Sequence, residues 1–171
     1  MINEEFDKLY EEFYSKVYRL CLGYSKGDED LAKDLSQEVF IAVLNKMHSF
    51  RRESKISTWI YRITVNVCLM YLRKDNTRSE HIDAYSLIDN QEEKTENIKV
   101  VLLRKCINEL TEPDQMIVML MLEGETNADI ADIMEIKEGS IRVRIHRFKE
   151  KLRNCIEHYE RSTRNMEYSG Y

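Results

Sequence analysis

The sequence contains little glycine and proline, with five Gly and one Pro in 171 residues. This composition, together with 43% hydrophobic and 33% charged residues, favours a helical, soluble protein. No segment approaches the roughly 20 consecutive apolar residues of a membrane span. The N-terminus (MINEEFDKLYEEF) is acidic, unlike a signal peptide. We therefore expect an all-α cytoplasmic protein without direct membrane insertion.

The groupings of residues that mark catalytic or metal sites are also missing. No glycine-rich phosphate loop occurs, no pair of carboxylates has a compelling context, and neither histidines nor cysteines are grouped. Their positions are His48, His81, His146, His158, Cys21, Cys68, Cys106 and Cys155. Each cysteine lies within an apolar pattern, so buried thiols in a reducing cytoplasm are expected. We predict no catalytic residue, no metal and no cofactor.

A net charge of −5 by itself disfavours nucleic-acid binding, but the charges are distributed unevenly along the chain. Acidic residues collect in the N-terminal segment and at residues 92–96, whereas basic residues collect at residues 51–74 and 137–153. A locally basic surface on an acidic protein can bind the phosphate backbone while discouraging indiscriminate binding. Two separated basic zones indicate two DNA contacts.

The clearest local pattern is TNADIADIMEIKEGSIRVRIHRFKEKLR, residues 126–153. Thr126 can cap a short helix, residues 135–138 break the apolar period, and a second helix follows. The apolar stripe of that helix is Ile141, Ile145, Phe148 and Leu152, and the opposite face is Val143, His146, Arg147 and Glu150. The short turn and the basic second helix favour a helix-turn-helix that enters the major groove. The alternative is an amphipathic hairpin with a solvated basic face.

A helix with a mixed outer face is predicted around DLSQEVFIAVLNKM, residues 34–47. Leu35, Val39, Ala42 and Val43 form its inner side, whereas its outer side combines acidic and amide residues with Ile41 and Leu44. Such a face suits a protein partner that offers basic residues. The alternative is a solvated face with two incidental aliphatic residues.

The next predicted helix, from about Trp59 to Lys74, is apolar almost all round and should lie in the middle of its domain. Its polar residues fall on one strip, Arg62, Asn66 and Arg73. With the basic connector before it, this strip is suited to single-stranded nucleic acid. Tyr61 and Trp59 are candidates for its edge, although Trp59 fits a core position equally well.

Residues 77–97 lose helical periodicity and are polar and acidic, which predicts a flexible linker between two small helical domains. The domains are then residues 1–76 and residues 98–160, the second being the helix-turn-helix domain. Residues 161–171 form a tail without a clear pattern, which we expect to be frayed.

Three motifs in this order resemble those of bacterial extracytoplasmic-function (ECF) sigma factors of the sigma-70 family, over roughly residues 5–155. The first is Ala32, Asp34-Leu35 and Gln37-Glu38-Val39-Phe40; the second runs from Ser57-Thr58-Trp59-Ile60 through Asn66 to Leu72-Arg73; the third is Ile130-Ala131 with Gly139-Ser140-Ile141-Arg142 and residues 144–147. The resemblance implies transcription initiation, with core RNA polymerase and promoter DNA as partners. It also implies an anti-sigma factor, which can tether the protein to the membrane.

The resemblance assigns a role to each surface, and each role is an expectation. Core polymerase would bind Asp34, Gln37, Glu38, Ile41 and Asn45. The minus-ten element would be read and melted by Arg51, Arg52, Lys55, Trp59, Arg62, Asn66 and Arg73. The minus-thirty-five element would contact Ser140, Arg142, Val143, Arg144, His146, Arg147 and Lys151.

Two residues depart from the family pattern. Met70 stands where the family often has an acidic residue, which predicts looser packing in the N-terminal domain. Val143 stands where a small polar residue is common, so the resemblance does not predict which promoter sequence is recognised. A plain helix-turn-helix regulator is the competing hypothesis, but it gives residues 34–45 and the Trp59 helix no purpose.

Overall fold

The computed structural model describes the backbone of residues 2–75 and 98–168 and the side chains of residues 4–71 and 100–162. Within these ranges the fold is all-α, as the sequence predicts, with one short 3-10 helix at Met47–Ser49. The α-helices are α1 (Ile2–Tyr24), α2 (Glu29–Lys46), α3 (Ile56–Asp75), α4 (Ile98–Asn108), α5 (Glu112–Leu122), α6 (Asn127–Met134) and α7 (Glu138–Tyr168). The predicted linker, residues 77–97, lies outside the described residues.

Helices α1, α2 and α3 pack together into the N-terminal half. Asp28 caps α2 by accepting a hydrogen bond from the Leu31 amide at 3.0 Å, because a carboxylate there satisfies an amide that has no partner within the helix. The apolar stripe of α1, which includes Val17 and Leu20, is buried, and so is the predicted inner side of α2 around Val39. Helix α3 lies between its neighbours, contacting α1, α2 and α6.

Helices α4 to α7 form the C-terminal half. Pro113 lies in the first turn of α5, where its missing amide hydrogen costs no helical hydrogen bond. The Thr126 hydroxyl accepts a hydrogen bond from the Asp129 amide at 3.1 Å and so caps α6, as predicted. Glu135 ends α6 in the left-handed conformation with φ of 56°. Helix α7 then buries Ile141 and Phe148, in agreement with its predicted stripe.

Helix boundaries and packing differ from the sequence predictions in three places. Helix α3 begins at Ile56, so the last residues of the expected connector are already helical. Helix α7 continues to Tyr168, so the backbone of the expected tail is helical up to that residue. Met70 is exposed on α3, so its departure from the family pattern does not loosen the core.

The cysteines also differ from the expectation of buried thiols. Cys106 of α4 and Cys155 of α7 form a disulfide with a Cα–Cα distance of 5.9 Å. Cys21 and Cys68 remain thiols and are buried, as expected. Separation along the sequence did not prevent pairing, because α4 and α7 pack side by side.

The two halves are packed against each other. Helix α5 lies on α1 and helix α6 on α3, and the buried apolar residues of both halves form one continuous cluster. Gly23 allows a close approach, because a Cβ atom at this position would lie 2.3 Å from the Met119 sulfur. At the edge of the contact, Arg19 donates two hydrogen bonds of 2.7 Å to the Glu123 carboxylate. None of the described helices combines the length and apolar character needed to cross a membrane.

Candidate polymerase and nucleic-acid interfaces

Helices α1 and α2 enclose an open groove of about 260 Å³ on the surface of the N-terminal half. The lining is largely apolar and consists of Phe6, Tyr10, Gln37, Phe40, Ile41 and Leu44. Ile41 is 59% exposed and Leu44 is 41% exposed. Aliphatic side chains of a monomeric helix are more often covered, so this groove is a candidate docking surface.

The residues predicted to bind core polymerase lie on one side of α2, around this groove. Asp34, Gln37, Glu38, Ile41 and Asn45 are all exposed. Leu35, Val39 and Val43 face the core instead. Helix α2 therefore has the two-sided character that the sequence predicts, with carboxylates next to exposed aliphatic side chains.

The residues predicted to contact the minus-ten element are spread over the connector and α3. Arg51, Arg52, Lys55 and Asn66 are exposed, and Trp59 is half-buried with its ring 5.1 Å from that of Phe50. Arg52 has φ of 56°, which is uncommon for a residue with a side chain. The side chain of Arg73 lies outside the described residues.

Tyr61 does not lie at the edge of this strip, contrary to the sequence prediction. It is 1% exposed and its ring packs edge-on against Phe13 at 6.3 Å. Burial raises the pKa of Tyr61 to about 12, because the charged phenolate loses its hydration. Tyr61 is a core residue.

Two cations of the minus-ten set contact the C-terminal half. Lys55 Nζ lies 2.9 Å from Oδ1 of Asp129, and Arg62 Nη2 donates a 2.7 Å hydrogen bond to the Asp132 carbonyl. Arg62 Nε lies 3.6 Å from a Glu135 carboxylate oxygen, an ion-pair distance but too long for a hydrogen bond. Hydrogen bonds from Thr126 and Lys55 lower the pKa of the Asp129 carboxyl.

The residues predicted to contact the minus-thirty-five element lie on α7. Six of them are exposed and Arg144 is half-buried; the exposed ones are Ser140, Arg142, Val143, His146, Arg147 and Lys151. Arg142 pairs with Glu138 one turn earlier at 2.6 Å. Arg144 instead reaches α5, where Nη1 lies 2.9 Å from Asp114. These two arginines of α7 thus differ in how they are held.

Sequence reasoning missed the residues that come from a second element. Phe6 and Tyr10 follow the apolar period of α1, which predicts core positions, yet Tyr10 is 41% exposed at the groove. Nothing in the sequence indicated that the acidic residues of α6 contact α3, since a short capped helix with two aspartates is typical of a solvent-exposed helix. Only the position of α6 on α3 brings these charges to Lys55 and Arg62.

Family models match both halves of the chain. The sigma-70 region 2 model matches residues 9–78, and the sigma-70 region 4 model matches residues 101–152. These two segments hold the three motifs and the surfaces described above.

Curated relatives match the chain along most of its length. The ECF RNA polymerase sigma-E factor of Haemophilus influenzae is 31% identical, with 89% of this chain and 87% of the relative covered. The ECF RNA polymerase sigma factor SigW of Bacillus subtilis is 30% identical, with coverages of 90% and 89%.

A solved structure supports the same fold. The sigma factor RpoE in complex with the anti-sigma factor NepR from Bartonella quintana gives a TM-score of 0.74 at 19% identity, covering 90% of this chain and 98% of that one. Together with the two family models and the curated relatives, the all-α architecture identifies the protein: this chain belongs to the ECF sigma factors of the sigma-70 family, which direct RNA polymerase to promoters.

Proposed function

We infer that this sigma factor divides its work among three surfaces. The groove between α1 and α2 binds core polymerase, the connector and the polar strip of α3 bind and hold open the minus-ten region, and the exposed face of α7 reads the minus-thirty-five element. The observation that carries this assignment is the α1–α2 groove, an open apolar surface rimmed by carboxylates. A regulator that bound only DNA would have no use for it.

The chemistry of the groove favours a basic, partly apolar partner surface. Ile41 and Leu44 offer aliphatic contacts, while Asp34 and Glu38 provide negative charge beside them. Burial of the aliphatic side chains supplies most of the affinity, and complementary charge steers the encounter and sets specificity. A helical surface of polymerase with Arg and Lys at its rim fits this description.

The minus-ten surface combines cations with a polar side chain on an otherwise apolar helix. Arg51, Arg52 and Lys55 can neutralise the phosphates of a separated strand, and Asn66 can hydrogen-bond to an exposed base. Extruding a base costs a few kcal/mol, which these contacts and stacking must offset. The energy comes from binding, and we infer that no bond is made or broken by this chain.

An anti-sigma factor completes the proposal. The Bartonella structure contains a sigma factor with such a partner, and an inhibitor of the present chain would compete with polymerase for the α1–α2 groove. The protein would act in the cytoplasm, held near the membrane only when its inhibitor is anchored there.

The test is co-purification with core polymerase. Glu38→Arg reverses a charge at the groove rim without burying it, so we expect core binding to fall at least tenfold at low salt while helicity is unchanged. Glu157→Arg on α7 is the matched control, since it makes the same charge change at an exposed position in the other half. Equal binding by the two variants would refute the groove assignment.

A further inference from the structure

Val143 is an exposed aliphatic side chain in the middle of the basic face of α7. It is 50% exposed, and it is not among the described residues that pack against the buried cluster. At about 100° per residue it lies opposite the buried Ile141 and Ile145 and one turn before Arg147. It therefore shares the outer face of the helix with the residues assigned to the minus-thirty-five element.

The position of Val143, rather than its exposure alone, makes it informative. Single exposed aliphatic residues are common on protein surfaces and by themselves indicate no ligand. Valine is also β-branched and forms helices less readily than alanine, so it does not favour α7 on its own account. On a face that enters the major groove, however, an apolar side chain decides which base edges can lie against it.

The major groove offers one apolar group to such a side chain. Base edges there present hydrogen-bond donors and acceptors, and thymine adds a C5-methyl group. A valine side chain can neither donate nor accept, so it leaves an opposing polar edge without water and without a partner, which disfavours such a base. Against a thymine methyl group, it removes apolar surface of both partners from water.

The neighbours of Val143 leave room for a duplex to reach it. Gly139, one turn earlier on the same side of α7, is exposed, and a Cβ atom there would meet no atom within 4 Å. Packing therefore does not require this glycine, and its missing side chain lets DNA approach the backbone closely. Beside Val143, the side chain of Arg142 is drawn back toward Glu138 by their 2.6 Å ion pair.

We propose that Val143 reads a thymine of the minus-thirty-five element through the C5-methyl group of that base. The proposal rests on the assignment of the exposed face of α7 to this element, and it names the base chemistry recognised beside Arg147. Phosphate contacts fix the register of α7 on the duplex without reading sequence, and Val143 then selects a T·A pair by apolar contact. Val143→Ser, which restores a small polar residue, should lose this preference.

The experiment uses holoenzyme reconstituted from the full chain and core polymerase, and a promoter duplex recovered from genomic fragments by run-off transcription. Each thymine of its minus-thirty-five region, on either strand, is replaced in turn by deoxyuridine, which removes the methyl group and keeps the base pair. One replacement should raise the Kd of the parent about fourfold, the effect of one buried methyl-sized group. Val143→Ala should weaken binding to the unmodified duplex by a similar factor and should not respond to that replacement.

Val100→Ala on α4 is the matched control, because it truncates another exposed valine in the same way outside α7. Holoenzyme with this change should bind the unmodified duplex as the parent does and keep the response to deoxyuridine. Both changes shorten exposed side chains, so circular dichroism should show the helicity of the parent in each.

The opposing results separate this proposal from the assignment on which it rests. If no replacement affects the parent while Arg147→Ala still weakens binding, α7 contacts the element but does not read a thymine methyl group. If Val143→Ala responds to deoxyuridine as the parent does, another side chain contacts the methyl group and the proposal fails. If Val143→Ala, Arg142→Ala and Arg147→Ala all bind like the parent, α7 does not contact the element, and the assignment fails together with the proposal.

Discussion

Arg142 and Arg144 of α7 carry the same charge but are held by different partners. Arg142 is bound to Glu138 on its own helix, whereas Arg144 is bound to Asp114 on α5. The exposed Arg142–Glu138 pair contributes about 0–1 kcal/mol to stability. The effect of the Arg144–Asp114 pair is on geometry, since Asp114 directs Arg144 along the side of α7. We therefore propose that Arg144 contacts the DNA backbone.

The first prediction concerns base readout by Arg147. This side chain lies on the outer face of α7, opposite buried Ile141 and Ile145, where a helix in the major groove meets base edges. Arg147→Ala should cost about 1–3 kcal/mol of promoter binding and relax the preference at one base position. Arg142→Ala should weaken binding to all sequences alike and reduce the slope of affinity against salt.

Binding of both variants to a promoter library at several salt concentrations measures the difference. Arg161→Ala, an exposed basic residue farther along α7, provides the control. If Arg147→Ala and Arg142→Ala give identical profiles across the library, the division between base and phosphate contacts is wrong.

For single residues, the sequence predicted burial well where the apolar period of one helix determines it. The stripe containing Ile141 and Phe148 follows from a period of 3.6 residues alone. Two tyrosines did not follow that rule: Tyr10 lies at an open groove and Tyr61 lies in the core. Their exposure depends on which helix packs over them, and periodicity within one helix carries no information about its neighbours.

At the scale of the helices, the second prediction concerns the disulfide that joins α4 to α7. The Cys106–Cys155 bond closes a loop with a sequence separation of 49 residues. Closing a loop of this length limits the unfolded chain and contributes about 4 kcal/mol on the chain-entropy account. Reductant should therefore lower the thermal midpoint of the oxidised protein, while Cys155→Ser should have the lower midpoint with or without reductant. A wild-type midpoint that reductant does not change would mean that the two thiols are not joined in solution.

Helix α3 gives the third prediction, about promoter opening. Asn66 is exposed on a helix whose other described side chains, except Met70, are buried or half-buried, and the exposed connector arginines precede it. Asn66→Ala, and Arg51→Ala combined with Arg52→Ala, should reduce transcription from duplex promoters. The defect should shrink on templates with a mismatched minus-ten region, because the cost of melting has been removed.

Core binding by these variants should remain normal, and Asn154→Ala at an exposed site on α7 should behave as wild type. Alanine at position 52 keeps a Cβ atom, so the left-handed backbone there is not relieved by the change. Equal defects on duplex and mismatched templates would assign the strip to a step after melting.

Helix starts were predictable because caps act locally. Thr126 marks a start that the structure confirms, and Asp28 and Pro113 lie at helix starts of the same kind. The start of α3 and the end of α7 were placed less well. Helix α3 begins three residues before Trp59, and α7 runs on to Tyr168 through a segment without an apolar period. No Gly or Pro interrupts α7 between Gly139 and Tyr168, so nothing in that segment ends the helix.

For the whole molecule, the sequence predicted two domains but not their contact. The residues that join them are a glycine facing a methionine and charged pairs between residues more than 70 positions apart. Within its own segment each residue looks ordinary, because Gly23 lies within a helix, Glu123 at a helix end and Asp129 beside a cap. Complementarity between two surfaces is a property of the folded halves, and a single sequence without a structure does not reveal it.

The last prediction follows from the continuity of the core. Because buried residues of both halves form one cluster across α1 and α5, the parent protein should unfold in a single cooperative thermal transition. Gly23→Leu should divide this into two transitions, because the added side chain would clash with Met119 of α5 and uncouple the halves. The leucine itself favours helix α1 by up to about 1 kcal/mol, so α1 should not unfold on its own account. Differential scanning calorimetry measures the number of transitions directly, with Ser15→Leu, at an exposed position of the same helix, as the variant that should keep one transition. Two transitions in the parent would mean that the contact between the halves contributes little free energy to folding.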